Sequence, residues 1–240
     1  MTIQREISIV IPVYNEVDNV KPLIAEITAV LSEAQFDYEI IFIDDGSQDA
    51  TLKCLIDCLH AVPCLRVIAH KKNYGQSMAL ISGIKAASYA MIVTLDGDGQ
   101  NDPADIPAIF ELLQNERTIV LGNRVKRDDN QVRRYSSRIA NWVRGKLLQD
   151  SCPDTGCSLK LFSRDAFLSL PHFNHMHRFL PALFMRSGYT LINYKVNHRP
   201  RLYGASKYGV VNRLFAGIYD LIGVAWLMKR SCNSQSTIYE

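Results

Sequence analysis

Two hydrophobic periodicities alternate along the first half of the chain. Continuous apolar, β-branched runs predict strands buried on both faces, and apolar residues three or four positions apart predict amphipathic helices between them. The predicted strands are Ile7–Val13, Tyr38–Ile43, Leu65–Ala69, Tyr89–Leu95 and Thr118–Leu121. The predicted helices begin at Val17, Leu52, Gly75 and the pair Asp102-Pro103. This alternation predicts an α/β fold, a doubly wound and mostly parallel sheet flanked by helices.

The pattern becomes looser after Asn123. The remaining predicted elements are helices over Gln131–Leu148 and His177–Ser187, extended segments over Ser158–Phe162 and Tyr189–His198, and an apolar helix over Val210–Met228. The chain contains no internal repeat, low-complexity tract or linker. We therefore expect one domain with an elaborated C-terminal half.

Composition narrows the class of protein. The 240 residues are 48% hydrophobic and 21% charged, which is typical of a globular chain and excludes collagen-like, coiled-coil and wholly disordered proteins. The N-terminal apolar run is about seven residues long and follows no basic leader, so we expect no signal peptide or membrane span there. Six cysteines in a leaderless chain of this size do not indicate a disulfide framework. We expect buried free thiols in a protein that stays in the cytoplasm.

The net charge of +3 hides an asymmetry between the two halves. Residues 1–123 carry 8 Lys/Arg against 17 Asp/Glu, whereas residues 124–240 carry 19 against 7. An acidic half joined to a basic half indicates two different ligands, one that needs a cation and one that is anionic. Chance clustering of solvated faces is the alternative.

Acidic side chains follow three of the predicted strands. Glu16 comes after the first strand, Asp44 and Asp45 after the second, and Asp96 and Asp98 after the fourth. Ligands of open α/β sheets bind at the carboxyl ends of the strands, so these groups should share one edge. Uncompensated carboxylates would repel one another there, and a divalent cation would remove that repulsion.

The segment Asp-Gly-Asp-Gly-Gln suits such a cation. In extended backbone Asp96 and Asp98 would point to the same side, and Gly97 and Gly99 would let the chain bend closely around an ion. Gln100 could add a neutral oxygen. An all-oxygen set of Asp96, Asp98 and Gln100 favours Mg²⁺ or Mn²⁺. A turn with solvated aspartates is the simpler alternative.

Dinucleotide-binding and P-loop motifs are absent from the sequence. Instead, six segments in order resemble the family-2 inverting glycosyltransferases of the GT-A fold, in the branch of dolichol-phosphate mannose synthases and bacterial polyprenyl-phosphate glycosyltransferases. The resemblance covers about residues 6–230. The segments are IVIPVYNE, IDDGSQDAT, NYGQSMALISG, LDGDGQNDP, GNR and RLYGASKYG.

The resemblance implies a donor site at the carboxyl edge. By similarity the nucleotide-sugar contacts Pro12, Tyr14, Glu16, Ile43, Asp45, Asp96, Gly97 and Asp98. In the family the metal motif usually reads Asp-Ala-Asp-Leu-Gln, so this chain keeps the ligand positions and has glycine at both spacers. We expect a looser loop from the two glycines and a retained metal.

The basic half is similar to the acceptor side of the family. Residues 124–146 hold eight Lys/Arg, and the guanidinium forks of the arginines match phosphate oxygens. A solvated basic face is the alternative, and nucleic acid is not expected because no stacking aromatics interleave the charges. By similarity Arg124, Arg133 and Ser137 contact the acceptor phosphate, and Arg201 and Lys207 close over the donor pyrophosphate.

These correspondences imply a metal-dependent hexosyltransferase that transfers a sugar to polyprenyl phosphate, with Asp98, Arg124 and Arg201 in catalytic roles. The product would be a lipid-linked donor for envelope glycan or lipid A modification. Polymerising relatives carry a Gln-x-x-Arg-Trp motif that neither tryptophan of this chain matches. Transfer to a saccharide hydroxyl is the first alternative, and a catalytically silent membrane-binding scaffold is the second. The sugar is not indicated, and UDP is preferred to GDP on resemblance alone.

The predicted C-terminal helix bears on the membrane. Val210–Met228 holds only Arg213 and Asp220 as charges, and Lys229 and Arg230 follow it. We expect an interfacial helix rather than a span. A helix that closes the core of the domain is an equal alternative.

The expected organisation is a catalytic domain over residues 1–208, divided into a nucleotide and metal half (1–123) and an acceptor half (124–208), with an interface helix and polar tail over 209–240. The expected location is peripheral, on the cytoplasmic face of the inner membrane, and the oligomeric state, homo-oligomers included, is open.

Overall fold

A computed structural model describes residues 4–124, 144–148, 150, 152–201 and 210–230, and in the last range the side chains of 217 and 219–230. The strands are β1 (Glu6–Val13), β2 (Asp37–Asp44), β3 (Leu65–Ala69), β4 (Met91–Thr94), β5 (Thr118–Arg124), β6 (Lys160–Ser163) and β7 (Thr190–Val196). The longer helices are α1 (Val17–Glu33), α2 (Thr51–Leu59), α3 (Gln76–Ala86), α4 (Asp105–Phe110), α5 (Arg164–Leu168), α6 (Leu180–Arg186) and α7 (Val210–Met228).

The seven strands form one mixed sheet in the order β3-β2-β1-β4-β6-β5-β7. Strands β3, β2, β1 and β4 are parallel, and β5 pairs with β7 in parallel, whereas β6 is antiparallel to both β4 and β5. The prediction of a mostly parallel sheet flanked by helices is confirmed. The chain order reverses between β1 and β4, which is where ligands of such sheets bind.

Both faces of the sheet are buried, which explains the continuous apolar runs. In β1, Ile7, Ile9 and Ile11 pack with α1, α2 and α4, whereas Val10 packs on the opposite face with α3, α5 and α6. All four side chains are fully buried. The two hydrophobic layers hold the strands rigidly, so the loops at their carboxyl ends start from fixed positions.

Some predicted boundaries shift for local reasons. The helix predicted to start at Asp102-Pro103 begins at Asp105, because a hydrogen-bonded turn comes first: the amide of Asp105 donates to the carbonyl of Asp102 over 3.1 Å. The Asp105 carboxylate accepts from the amide of Asn197 over 2.8 Å instead of capping its own helix. The helix predicted over 177–187 divides into a 3₁₀ turn and α6. Only the end of the predicted helix 131–148 is described, and residues 144–148 are helical.

Helix α7 packs against the domain with one face and presents another to solvent. Val224 is buried in the layer formed with α6, and Asp220 accepts a hydrogen bond from His175 over 2.8 Å. Tyr219, Ile222 and Trp226 are 77%, 61% and 59% exposed. These three residues recur at helical spacing and form one apolar stripe. Within the described part of the chain, no helix has the length and apolar character needed to cross a bilayer.

Candidate active site

The loop after β1 is fastened to the loop after β2. The amide of Asn15 donates to Ser47 Oγ over 2.9 Å, and Asn15 Oδ1 accepts from the amide of Gln48 over 2.7 Å. The amide of Glu16 donates to Thr51 Oγ1 over 2.9 Å. Asn15 has the positive φ of 54° that lets it face the second loop. The candidate residues at the end of β1 therefore form one rigid unit with the end of β2.

A turn, and not extended backbone, brings the two metal-motif aspartates together. Strand β4 ends at Thr94, and the chain turns at Gly97 and Asp98. Gly97 is buried against β1, where an added Cβ would lie 2.3 Å from Val13 Cγ1. Asp98 Oδ1 accepts from the amide of Gln100 over 3.2 Å and closes the turn. The expected looser loop is therefore wrong at Gly97, because that residue is a tight packing contact.

The two aspartates carry an electrostatic strain that a cation would relieve. Burial raises the pKa of Asp96 above its ordinary value, against the lowering influence of Ser158 and of nearby cations. Burial, followed by the charge of Asp96, also raises the pKa of Asp98. Both shifts oppose the ionised forms that a metal requires, so a bound divalent cation would stabilise the carboxylates it needs.

The donor set around this pair fits a hard cation. Among the described residues, no three His, Cys, Asp or Glu side chains come together. Two carboxylates, Asp96 and Asp98, with the Gln100 amide oxygen would leave the remaining positions to phosphate and water oxygens. That shell is typical of Mg²⁺ or Mn²⁺ rather than of zinc. The residues predicted as metal ligands are therefore chemically consistent with the predicted ion.

Gln100 also joins the motif to the segment that follows β7. Its Nε2 donates to the carbonyl of Arg199 over 3.3 Å, and its own carbonyl accepts from the amide of Arg199 over 2.9 Å. An isolated bridge pairs Asn101 with His198, and His198 lies close enough to lower the pKa of Asp98. His198 was not among the predicted site residues, and its only signal was its position as the last residue of the predicted extended segment Tyr189–His198.

Arg201 crosses from the basic half of the chain to the acidic rim. Its Nη2 donates to Glu16 Oε1, and its Nη1 lies 4.0 Å from Asp98 Oδ2. Glu16 Oε2 in turn accepts from Asn19 Nδ2 over 2.8 Å. Arg201, which is predicted to bind the pyrophosphate, therefore lies between the end of β1 and the metal motif. These two parts of the site are separated by more than 80 residues in the sequence.

Arg124 forms a buried ion pair with Asp154. Its Nε and Nη2 donate to the two carboxylate oxygens of Asp154 over 2.7 and 2.8 Å, and its amide donates to the same group over 3.2 Å. An acceptor phosphate at Arg124 must therefore share the guanidinium with Asp154. The other predicted acceptor residues, Arg133 and Ser137, and the predicted pyrophosphate ligand Lys207 lie outside the described residues.

Two of the predicted nucleotide contacts, Ile43 and Asp45, have buried side chains. The Ile43 side chain is fully buried on the α3 face of the sheet, beside Val10 and Gly83, so a nucleotide could reach only the backbone of this residue. The Asp45 carboxylate accepts from His70 Nδ1 over 2.7 Å and from the amides of Tyr74 and Gly75 over 2.9 and 2.7 Å. Asp45 therefore organises the loop before α3.

Pro12 and Tyr14, the other predicted donor contacts, are half-buried at the end of β1.

A further buried group that the sequence did not single out lies beside the metal motif. Lys160 opens β6 in register with Thr94, and its ammonium donates to the carbonyl of Cys157. Burial lowers the pKa of Lys160, and the neighbouring Asp96 opposes that shift. Lys160 is buried because both faces of the sheet are covered at β6, and no local pattern of the sequence indicated this.

The histidines of the segment 172–177 bind three different elements. His172 Nε2 lies 3.3 Å from the carbonyl of Phe167, and His175 contacts Asp220 on α7. His177 Nδ1 lies 2.8 Å from Ser77 Oγ on α3. The cluster therefore links helices to one another, and its rings do not converge on one point.

Comparison with known proteins gives three findings. The profile of the family described as glycosyl transferase family 2 matches residues 8–170. The dodecaprenyl-phosphate galacturonate synthase of Rhizobium johnstonii is 35% identical over 232 residues, which are 93% of this chain and 68% of that protein. The undecaprenyl-phosphate 4-deoxy-4-formamido-L-arabinose transferase of Edwardsiella ictaluri is 33% identical over 218 residues, 90% of this chain and 66% of that protein. The chain thus spans about two thirds of these relatives.

Among solved structures, the fold is similar to glucosyl-3-phosphoglycerate synthase from Mycobacterium tuberculosis in complex with Mg²⁺ and uridine diphosphate. The TM-score is 0.66 at 20% identity, and the match covers 93% of this chain and 79% of the other. Another structure of that enzyme, with Mn²⁺, UDP-glucose and phosphoglyceric acid, matches with a TM-score of 0.63. At this identity the likeness establishes the fold.

Proposed function

Since the chain belongs to glycosyl transferase family 2, we propose that it transfers a sugar from a nucleoside-diphosphate sugar to polyprenyl phosphate, with inversion at the anomeric carbon. The observation that carries this proposal is the convergence of Asp96, Asp98 and Arg201 at the point where the sheet reverses its order. That arrangement combines a cation site with a guanidinium suited to a pyrophosphate. The names of the two curated relatives support the acceptor.

At the nucleotide-sugar end of the site, this chain would stabilise the departing diphosphate with positive charge and not by protonating it with a general acid. A bound Mg²⁺ or Mn²⁺ would act as a Lewis acid that stabilises the departing diphosphate. Asp96, Asp98 and Gln100 would hold that ion. Arg201, which lies between Glu16 and Asp98, would donate to pyrophosphate oxygens with the acidic rim neutralised by the divalent cation, and Lys207 would add a second positive charge. The solved structures with uridine diphosphate support UDP as the nucleotide.

At the acceptor end, the nucleophile would be a phosphate oxygen of the lipid. A phosphate monoester has its second pKa near ~6, so it is already ionised at neutral pH and requires no protein base. The transition state would resemble an oxocarbenium ion, as in other glycosyl transfers. We assign the acceptor phosphate to Arg124, Arg133 and Ser137. Asp154 would hold the Arg124 guanidinium in orientation during the reaction.

The lipid acceptor requires a route to the bilayer, and α7 supplies an apolar surface for it. We assign the stripe Tyr219, Ile222 and Trp226 to the headgroup region of an anionic bilayer, on the cytoplasmic face of the inner membrane. Lys229 and Arg230 follow the stripe, and the Arg230 guanidinium lies 5.3 Å from the centre of the Trp226 ring. In this assignment residues 1–208 form the catalytic domain and 209–240 the interface segment.

The test uses purified protein with Mn²⁺, a panel of UDP- and GDP-sugars, and short-chain polyprenyl phosphate. Formation of a glycolipid, detected by mass spectrometry, is the expected result. Free polyprenol, which has the same chain without the phosphate, should remain unmodified. Transfer only to an oligosaccharide would replace the proposal by a saccharide-hydroxyl transferase, and no transfer from any donor would remove it.

A further inference from the structure

A glutamine outside the assigned donor and acceptor residues contacts one of the metal-motif carboxylates. Gln76 Nε2 donates to Asp96 Oδ1 over 2.9 Å, although Gln76 begins α3 and Asp96 follows β4. An ionised carboxylate can only accept, so the amide nitrogen is the group that faces it. Gln76 is half-buried and is the first residue of α3.

The backbone before Gln76 is fastened to the end of β2. The amides of Tyr74 and Gly75 donate to the two oxygens of Asp45 over 2.9 and 2.7 Å, and Gly75 takes a φ of 90° to do so. His70 bridges the same carboxylate to Ser82 Oγ, at 2.7 and 2.9 Å. Because Ser82 belongs to α3, the loop is held at both ends and Gln76 has a fixed starting point.

These contacts form a continuous connection from the end of β2 to the end of β4. Asp45 fixes the loop, the loop fixes Gln76, and Gln76 fixes one oxygen of Asp96. Ser158 also makes a hydrogen bond to this carboxylate, so Gln76 is one of two side chains that set the direction of the Asp96 oxygens. Partners of this kind orient metal ligands and change metal affinity without touching the ion.

We propose that Gln76 is a positioning residue for the divalent cation, one that holds Asp96 Oδ1 so that Asp96 Oδ2 faces the ion. The inference rests on the proposed function, since it assumes that Asp96 binds a cation. In this proposal the segment 70–76 contributes to the nucleotide-sugar site through the hydrogen bond of Gln76 to Asp96. It does not do so through a contact with the nucleotide.

Two variants test the hydrogen-bond donor of Gln76 and its reach separately. Gln76→Met keeps an unbranched side chain of similar length and removes the donor, and Gln76→Asn keeps the amide but shortens its reach. Gln114→Met is the matched control, because Gln114 is exposed and lies before the start of β5, at the edge of the sheet opposite the rim. The affinity for Mn²⁺ is measured by electron paramagnetic resonance on the full chain with UDP present, and thermal unfolding checks the fold.

Both Gln76 variants should bind Mn²⁺ about 10-fold more weakly than the wild type, the loss typical of a lost ligand-orienting partner. Gln114→Met should bind as the wild type does. In the transfer assay, excess Mn²⁺ should restore the rate, so that the apparent KM for Mn²⁺ rises while kcat is nearly unchanged. A purely structural role would lower the melting temperature and leave the Mn²⁺ affinity of the folded protein intact.

The outcomes distinguish this inference from the function beneath it. Normal Mn²⁺ binding by the wild type, with Gln76→Met and Gln76→Asn both within twofold of it, would overturn the positioning role alone. A wild type that binds no Mn²⁺ with UDP present would overturn both the role and the proposed site. If Gln76→Met does not fold, Gln76→Asn decides by the same criterion.

Discussion

The sharpest structural prediction concerns Gly97, in the turn between the two metal-motif aspartates. A methyl group at this position would lie 2.3 Å from Val13 Cγ1 and 3.3 Å from the carbonyl oxygen of Pro12. Carbon atoms in contact normally stand about 3.5 Å apart or more. Gly97→Ala must therefore push the turn and the end of β1 apart by roughly 1 Å. Overpacking of this kind costs about 1–3 kcal/mol.

The displaced turn carries Asp98, so the rate of transfer should fall as well as the stability. A misplacement near 1 Å costs roughly 100-fold in rate. Urea unfolding measures the loss of stability, and the transfer assay measures the loss of rate. Gly223→Ala is the matched control, because nothing lies within 4 Å of that position on the exposed side of α7. In a helix the same change should stabilise the protein by about 0.4–1 kcal/mol.

A double-mutant cycle tests the named contact. Val13→Ala removes the atom that the new methyl group would meet, at the cost of a small cavity. In the double variant Gly97→Ala/Val13→Ala the two losses should not add, and the coupling should be about 1 kcal/mol or more. Gly97→Ala with wild-type stability and rate would refute the reasoning, as would strictly additive losses.

Three further predictions follow from the charges and the exposed stripe. Burial and the neighbouring carboxylate raise the pKa of Asp98, so the metal-free fold is favoured below its ordinary value of 3.8 and loses stability as the pH rises through the raised pKa. Asp98→Asn should therefore melt above the metal-free wild type at pH 7, with the gap closing toward pH 3.8, and a lower melting point would contradict this. Asp154→Asn leaves the buried charge of Arg124 without its partner and should cost about 3–5 kcal/mol in urea unfolding; unchanged stability would disprove the pairing. Trp226→Ser should weaken binding to anionic vesicles about 10-fold or more, given about 1.5–3 kcal/mol for burying such a side chain, whereas Leu59→Ser on α2 should bind like the wild type.

The local patterns of the chain were sufficient for the first strands and helices. The apolar run at Ile7–Val13 identified a strand buried on both faces because its residues pack alternately on two helical layers. The carboxylates after β1, β2 and β4 could be placed on one edge because parallel strands end together. The same alternation points the Ile43 side chain into the core, at a residue where the resemblance implies a nucleotide contact.

The rest depended on contacts between distant segments. Strand β6 inserts antiparallel between β4 and β5, and no local periodicity specifies that neighbour. Arg201 meets Glu16 across 185 residues, and Gln76 meets Asp96 across 20. The tight packing of Gly97 on Val13 is equally invisible in the sequence, where a glycine between two aspartates indicates only a turn. Such pairings exist once the sheet has formed.

The central claim is that the acidic rim binds a nucleoside diphosphate through a divalent cation. Calorimetric titration of the protein with UDP, with and without Mn²⁺ and in the wild type and Asp98→Asn, tests it most directly. UDP should bind the wild type with Mn²⁺ and bind much more weakly when either the ion or the Asp98 carboxylate is removed. Equal binding of UDP with and without Mn²⁺, or no binding in the presence of both, would contradict the account.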